Sequence, residues 1–497
     1  MRTIFFLSLI YLPVNRLLAQ LHYPDEWWPI GTTELVGAPG DGNAWLHFHD
    51  DTVTIVPADL SMNFESTVAV ASDTTGQVLF YSNGCEIRNA NGNLLENGEG
   101  LHPGELHDWV CANGYTVPRG MMALPWPGHS SRWILLHTGG NYDPVRKLTY
   151  GPFYYTEIDM SLNGGQGGVV SKNNVLATGD LEPFAVVRHG NGRDWWVVMP
   201  DYSTNQYQLW LLTPNGMQLF VTQQIGPAIG CRRVGASVFS PDGSKYARTN
   251  NCAAVVLDFD RCNGQFSNPV FLERSVGTVG GGGLAFSNNN RWLYATSNLS
   301  IFRADLQSST SLLDSLFKQP YYEGESQYVY GTSLAYMQLA PDGKIYMNAR
   351  HREQYFSSID IEADTFYFKP VGLSLPVATV RTLPYFPDFR LYDLSGSACD
   401  TLGINGATSA TFTTFVSNVF DISPNPFSNW LQVSLKGNFR NPVFCLYDQL
   451  GNLAMKNQLA IGITDMETSS LPPGFYIWEV TANGERIKSG KCIKLAE

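Results

Sequence analysis

Ala236-Ser-Val-Phe-Ser-Pro-Asp-Gly-Ser-Lys-Tyr-Ala247 carries a strand–turn–strand pattern that sets the architecture of most of the chain. A short apolar run meets Pro241-Asp-Gly243, and a second β-rich run follows at once. Asp-Gly accepts the positive φ of a tight turn, so the unit reads as a β-hairpin. The same grammar returns at 283–287, Asn288-Asn-Asn290 and 291–296. It returns again at 334–340, Pro341-Asp-Gly343 and 344–348, and it appears earlier at 67–72, Asp73-Thr-Thr-Gly76 and 77–81. The last three turns lie ~47 to ~53 residues apart, the period of a four-stranded propeller blade. Dividing the ~370 residues of 25–395 by ~50 predicts a β-propeller of roughly seven blades, centred at about 45, 75, 130, 200, 245, 290 and 340. A six- or eight-bladed ring or an array of β-sandwiches fits the same pattern less closely.

Composition agrees with an all-β chain. Of 497 residues, 44% are hydrophobic and only 15% charged, enough for sizeable cores and too long for one. Aromatics at 13%, with 47 Gly and 28 Pro, suit short strands and tight turns. Amphipathic helical periodicity is nearly absent; residues 312–317 are the best short candidate. The formal net charge of −12 argues against nucleic acid and anionic membranes, which need a basic footprint.

Residues 1–20 read as a secretory signal peptide, with Arg2 before the apolar run 4–12 and Ala19 at the cleavage position. No later stretch approaches the roughly 20 apolar residues of a membrane helix. The cysteines at 85, 111, 231, 252, 262, 399, 445 and 492 are therefore read in an oxidising compartment, in no zinc spacing. Cys252 or Cys262 is a partner for Cys231, and Cys445 with Cys492 a bridge in the last domain. Free buried thiols are the equal alternative.

Residues 64–101 include Phe64-Glu-Ser66, Ala71-Ser-Asp-Thr-Thr-Gly-Gln-Val-Leu-Phe-Tyr-Ser-Asn-Gly84, Asn97-Gly98 and Gly100-Leu101. Asn191-Gly-Arg-Asp-Trp-Trp196, Phe239-Ser-Pro-Asp-Gly243, Phe259-Asp-Arg-Cys262 and Leu339-Ala-Pro-Asp-Gly-Lys-Ile-Tyr346 follow in order. This series resembles exported Bacteroidetes propellers of the WD40-like or YVTN-like type, a resemblance that implies fold and location more than function.

Residues 396–420 are small and polar and read as a linker. Over 421–497 the pattern becomes a compact set of short strands, expected to form a small Ig-like β-sandwich. Several of its residues carry a second resemblance. Pro424, Asn425 and Pro426 open the segment, Gly451 follows the run Val443–Asp448, Leu471 stands with Gly474 and Tyr476, and Lys491 lies near the end. In that order they resemble the type A C-terminal sorting domain of the type IX secretion system. The resemblance implies handling by the secretion machinery and its sortase-like protease, then release or attachment to anionic lipopolysaccharide at the cell surface.

Candidate chemistry is scattered. His47, His49 and Asp51 share a strand face in a conceivable metal pattern, against a solvated edge. His102, Glu105, His107 and Asp108 sit in a Gly/Pro-bounded loop, where an acid–base pair competes with a structural role. Arg119, Arg188, Arg193, Arg232 and Arg233 suit acidic sugars or acidic neighbours. The tryptophans at 27, 28, 45, 109, 126, 133, 195, 196, 210 and 292 suit sugar stacking or blade packing. Glu65, Asp73, Glu86, Glu182 and Asp201 are the carboxylates an enzyme would draw on. Gly280-Gly-Gly-Gly283 lacks the GK[ST] of a phosphate loop and reads as room for close backbone approach. No catalytic residue, metal site or cofactor follows from these patterns. The leading expectation is a monomeric polysaccharide- or protein-binding module. A polysaccharide hydrolase or lyase and an adhesion or motility component stand as alternatives.

Overall fold

The computed structural model describes residues 22–495 except 33–39, 50–51, 144–146, 230–234, 250–252, 275–281, 298, 309–311, 319–333, 363–364, 403–419, 424–426, 436–441, 449–450, 461 and 483–484. Several sequence expectations fall outside the described residues: the signal peptide, Asp51, Cys231, Cys252, Arg232, Arg233, Gly280 and Gly281. The same holds for the first sorting motif, Pro424, Asn425 and Pro426.

Two features of each hairpin turn explain why it forms. Gly243, Asn290 and Gly343 take φ of 71°, 59° and 77°. Their amides then close onto the carbonyls of Ser240, Ser287 and Ala340 at 2.8, 3.0 and 2.9 Å. Asp242, Asn289 and Asp342 each accept the amide two residues on through Oδ1, so the turn chemistry repeats as the sequence does. The tyrosine that follows each of these turns, Tyr246, Tyr294 or Tyr346, is at most 2% exposed, as is Tyr81 of the earlier hairpin. These rings wedge neighbouring sheets together.

The result is a propeller with seven antiparallel meanders among the described residues. They start at Trp27–Thr32, Ala69–Ser72, Met121–Pro125, Ala185–Arg188, Ala236–Phe239, Leu284–Phe286 and Leu334–Leu339. The first two have three strands and the others four; the fifth and sixth join at their outer edges, where Gln265–Arg274 pairs in parallel with Leu312–Lys318. That last strand corrects the helical expectation for 312–317. Pairing with Ser300–Asp305 and burial of Leu313 outweigh a weak local helical pattern. The single α-helix among the described residues, Glu105–Val110, lies instead in the loop after the second sheet.

The end of the propeller chain returns through the body. Thr382 donates to the Phe64 carbonyl at 3.0 Å, and the Tyr385 hydroxyl to the Ser237 carbonyl. Phe386 stacks on Trp28 and Phe389 meets Trp195 edge-on, with centroids 6.2 and 5.6 Å apart. Further on, Arg390 pairs with Asp25 at 2.6 Å and Tyr392 bonds to Tyr23 at 2.7 Å. The order of these contacts, 386 to 28, 390 to 25 and 392 to 23, lays this segment antiparallel to the chain that enters the first blade. Leu394 then bonds to the Gly190 carbonyl at 2.8 Å, and Cys399 forms a disulfide with Cys262. A Cβ on Gly190 would lie 2.4 Å from the Cys399 sulfur, so only glycine admits this approach.

A Cys231–Cys262 bridge is corrected accordingly, a Cys231–Cys252 bridge lies outside the described residues, and for Cys445 and Cys492 the alternative of buried free thiols holds. Cys262 joins Cys399, and Cys85 joins Cys111. Cys445 and Cys492 are buried free thiols. They cannot meet, because Gly474–Ala482 runs between their strands and only Cys492 faces the domain core.

That C-terminal domain has two antiparallel sheets. Phe420–Ser423, Trp430–Leu435 and Gly462–Glu467 form one; Leu453–Gln458, Val443–Tyr447, Gly474–Ala482 and Glu485–Lys494 form the other. Phe427, Leu431, Val433, Phe444, Leu446, Met466 and Trp478 fill the space between them.

Candidate functional site

The centre of the propeller is filled by the protein itself. Arg119, just before the inner strand Met121–Pro125, is 5% exposed. Its guanidinium donates to the Ser237 carbonyl at 3.5 Å, to Leu284 at 3.1 Å and to Met337. Those carbonyls belong to the inner strands of the fifth, sixth and seventh blades, so one side chain ties three blades at the axis. Tyr385 lies under it, 4.5 Å from guanidinium carbon to ring centroid. Burial pushes the Arg119 pKa below its ordinary value, while Tyr385, Tyr336 and Tyr150 pull it back.

Beside this plug, Glu182 and Arg248 form a buried pair at 3.2 Å, with Arg248 stacked over Tyr207. Burial raises the Glu182 carboxyl to about 7 although Arg248 pulls it down. Glu182 is therefore the candidate carboxylate in the environment most like an acid–base group, yet it is 3% exposed. The others stand apart. Glu65 pairs with Arg381 at 3.4 Å, Glu86 with Arg88 at 2.7 Å, Asp201 accepts from Gln208, and Asp73 caps its own turn. Arg188 lies over Trp195 at 4.1 Å and Arg193 pairs with Asp194 at 2.7 Å, so both are engaged within the fold.

The histidines divide likewise. His47 stacks on Trp27 at 3.9 Å, and His22, His49 and His47 stand in a row with centroids 5.7 Å apart. Near-parallel rings do not aim their nitrogens at one point, and among the described residues no group of three or more donors is placed to hold a metal. The 102–108 loop splits in two. Glu105, His107 and Asp108 lie on the short helix, with His107 3.2 Å from Asp108.

His102 turns inward instead. Its Nδ1 lies 2.9 Å from the Gly84 carbonyl and must donate, so Nε2 accepts from His137 Nδ1 at 2.7 Å. His137 Nε2 in turn accepts from the Thr156 hydroxyl at 2.9 Å. Both rings are neutral in this relay, and burial lowers the His102 pKa to about 4 and that of His137 as well. A depressed folded-state pKa stabilises above the unfolded value near 6.5, and the contribution is lost as pH falls towards 4. His102 alone should account for up to about 3 kcal/mol of acid destabilisation over that interval. Urea midpoints measured from pH 7 to 4 should fall steeply in the wild type and less in His102→Gln; parallel curves would refute the assignment.

Most of the candidate tryptophans are packing residues. Trp28, Trp195 and Trp196 are at most 1% exposed; Trp126, Trp133, Trp210 and Trp292 are buried; Trp27 and Trp45 are half-buried. Trp109 alone among them stands in solvent, at 70% exposure, with Tyr142 beside it at 53%. Gly283 fulfils the expectation of close approach: a Cβ there would lie 2.5 Å from the Ala335 carbonyl. Sequence reasoning missed Tyr385, Arg248 and Tyr142, because nothing local marks a residue whose partner is distant in the chain.

In the last domain, the sorting residues beyond Pro424, Asn425 and Pro426 can be placed. Gly451 takes φ of 82° in the Asp448–Asn452 turn, and Tyr476 donates to the Pro472 carbonyl at 2.8 Å. Leu471 is buried in the core, Gly474 opens its strand, and Lys491 pairs with Ile477 along the backbone. Residues 421–494 match the secretion system C-terminal sorting domain. The chain is a protein exported through the type IX secretion system. The exported protein is released or held at the outer cell surface, and no helix among its described residues is long and apolar enough to cross a membrane.

No curated protein matches the chain. Its propeller is similar to solved structures at low identity. PorZ of Porphyromonas gingivalis, an essential surface component of the type IX secretion system, aligns over 92% of this chain and 63% of its own, with 11% identity and a TM-score of 0.35. The periplasmic gluconolactonase PpgL of Pseudomonas aeruginosa aligns over 94% and 99%, with 11% identity and a TM-score of 0.35. The β-propeller domain of Cps50 from Myceliophteria thermophila aligns over 62% and 90%, with 10% identity and a TM-score of 0.37. Likenesses of this degree carry no argument about chemistry.

Proposed function

We propose that the exported propeller is a binding module for an extracellular polysaccharide, carried out of the cell by its sorting domain. By resemblance, that domain is cut off by the sortase-like protease of the secretion system. The observation that carries the reading is the filled axis. Arg119 and Tyr385 occupy the place where a propeller would gather catalytic groups, and Glu182 beside them is committed to Arg248. Among the described residues, the candidate tryptophan offered to solvent is Trp109, paired with the exposed Tyr142, which suits contact with a ligand surface. Co-sedimentation of the mature full-length protein with insoluble polysaccharides tests this. Protein should pellet with at least one polymer and release no reducing ends; soluble fragments would make it an enzyme.

A further inference from the structure

Trp109 and Tyr142 come from segments far apart in the chain, and the packing beneath them is rigid. Glu105–Val110 buries Leu106 inward and presents Trp109 outward. The helix is tied down directly after its last turn by the Cys85–Cys111 disulfide, and Asn63 holds the Ala112 carbonyl at 3.0 Å. The neighbouring strand Arg132–Asp143 reaches the helix at Gly140. A Cβ there would lie 2.7 Å from methyl groups of both Leu106 and Val117, so glycine lets strand and helix approach without displacing those side chains. The Gly140 amide is also fixed by the Tyr115 hydroxyl at 2.9 Å. Tyr142, two residues on and therefore on the same strand face, is set beside Trp109. The two rings meet at 5.8 Å and 78°, an edge-to-face pair open to solvent.

We propose that this pair is the stacking platform for pyranose rings of a neutral polysaccharide, a proposal that rests on the binding-module reading and gives it a place and a ligand class. Pyranose rings present flat faces of C–H bonds to aromatic surfaces. A platform fixed before binding loses little freedom when a sugar lands. Asp108, whose side chain is 82% exposed on the same helix, is an acceptor for sugar hydroxyls at the platform edge. Glu105 is exposed one turn earlier, and the whole chain carries −12. These carboxylates disfavour uronic and sulfated sugars by like-charge repulsion, which leaves neutral hexoses and pentoses.

The test is a calorimetric titration of the mature full-length protein with cellohexaose, mannohexaose and xylohexaose, and with hexagalacturonate as the anionic probe. At least one neutral hexamer should bind and hexagalacturonate should not. Trp109→Ala should weaken binding about tenfold and Tyr142→Ala several-fold, with unfolding midpoints unchanged because both side chains are exposed. Full affinity in Trp109→Ala, with the wild type binding, would move the site elsewhere and leave the binding module intact. Binding of hexagalacturonate alone would overturn the ligand class. No binding by the wild type, together with no co-sedimentation on any polymer, would remove the platform and the module together.

Discussion

Replacing Arg119 by methionine is expected to destabilise the propeller by about 3–5 kcal/mol, read as a lower urea midpoint with an unchanged slope. Methionine keeps much of the side-chain volume, so the loss isolates the polar contacts. Two inner-strand carbonyls, of Leu284 and Met337, lose this donor at an enclosed point of the fold, while that of Ser237 keeps the Tyr385 hydroxyl. Each buried carbonyl left without a partner costs about 1–3 kcal/mol. Against this, the substitution removes a cation held in a low-dielectric site with tyrosines rather than a facing carboxylate, and that relief offsets part of the loss. Arg119→Lys keeps the charge but not the planar fork that spans three blades, so an intermediate loss is expected. A methionine variant as stable as the wild type would mean that the axis is not pinned by this residue.

Removing the Cys262–Cys399 disulfide by alanine at both positions should cost about 4 kcal/mol, since the bridge closes a loop of 137 residues. The loss should be local before it is global. The segment 382–400 packs along the chain that enters the first blade, and its last covalent tie to the body is this bridge. Without it, the end is held only by non-covalent contacts such as Arg390–Asp25, Tyr392–Tyr23 and the Leu394–Gly190 hydrogen bond. Limited proteolysis should cut the double variant within 383–400 while the inner strands stay intact. Identical cleavage of both proteins would show that apolar packing of Phe386 and Phe389 is sufficient.

The parts of this fold that were legible in the sequence are the local ones. Asp242-Gly243 and Asp342-Gly343 announce their turns because the positive φ needs glycine, and the period between them announces the blade. The sorting domain was legible for the same reason, through short motifs at fixed spacing. The errors all concern partners. Cys262 finds Cys399 rather than Cys231 because the chain end doubles back, which no spacing rule reveals. Residues 312–317 form an outer strand because a neighbour at 300–305 offers an edge. At the candidate site, Trp109 is one of many tryptophans in the sequence. What separates it from Trp195 is the helix that turns it outward and Gly140 beneath Tyr142. Arg119 was visible only as a cation near a blade boundary; its role depends on three carbonyls more than a hundred residues away.

The function proposed for this protein is to meet a polymer on its surface and leave it whole. Co-sedimentation with insoluble polysaccharides, scored at once for bound protein and for soluble reducing ends, tests it most directly. Expected are retention on a neutral polymer, weaker retention of Trp109→Ala, and a supernatant no richer in reducing ends than the polymer alone. Soluble fragments that disappear in Glu182→Gln would contradict it and would place catalysis at the axis after all.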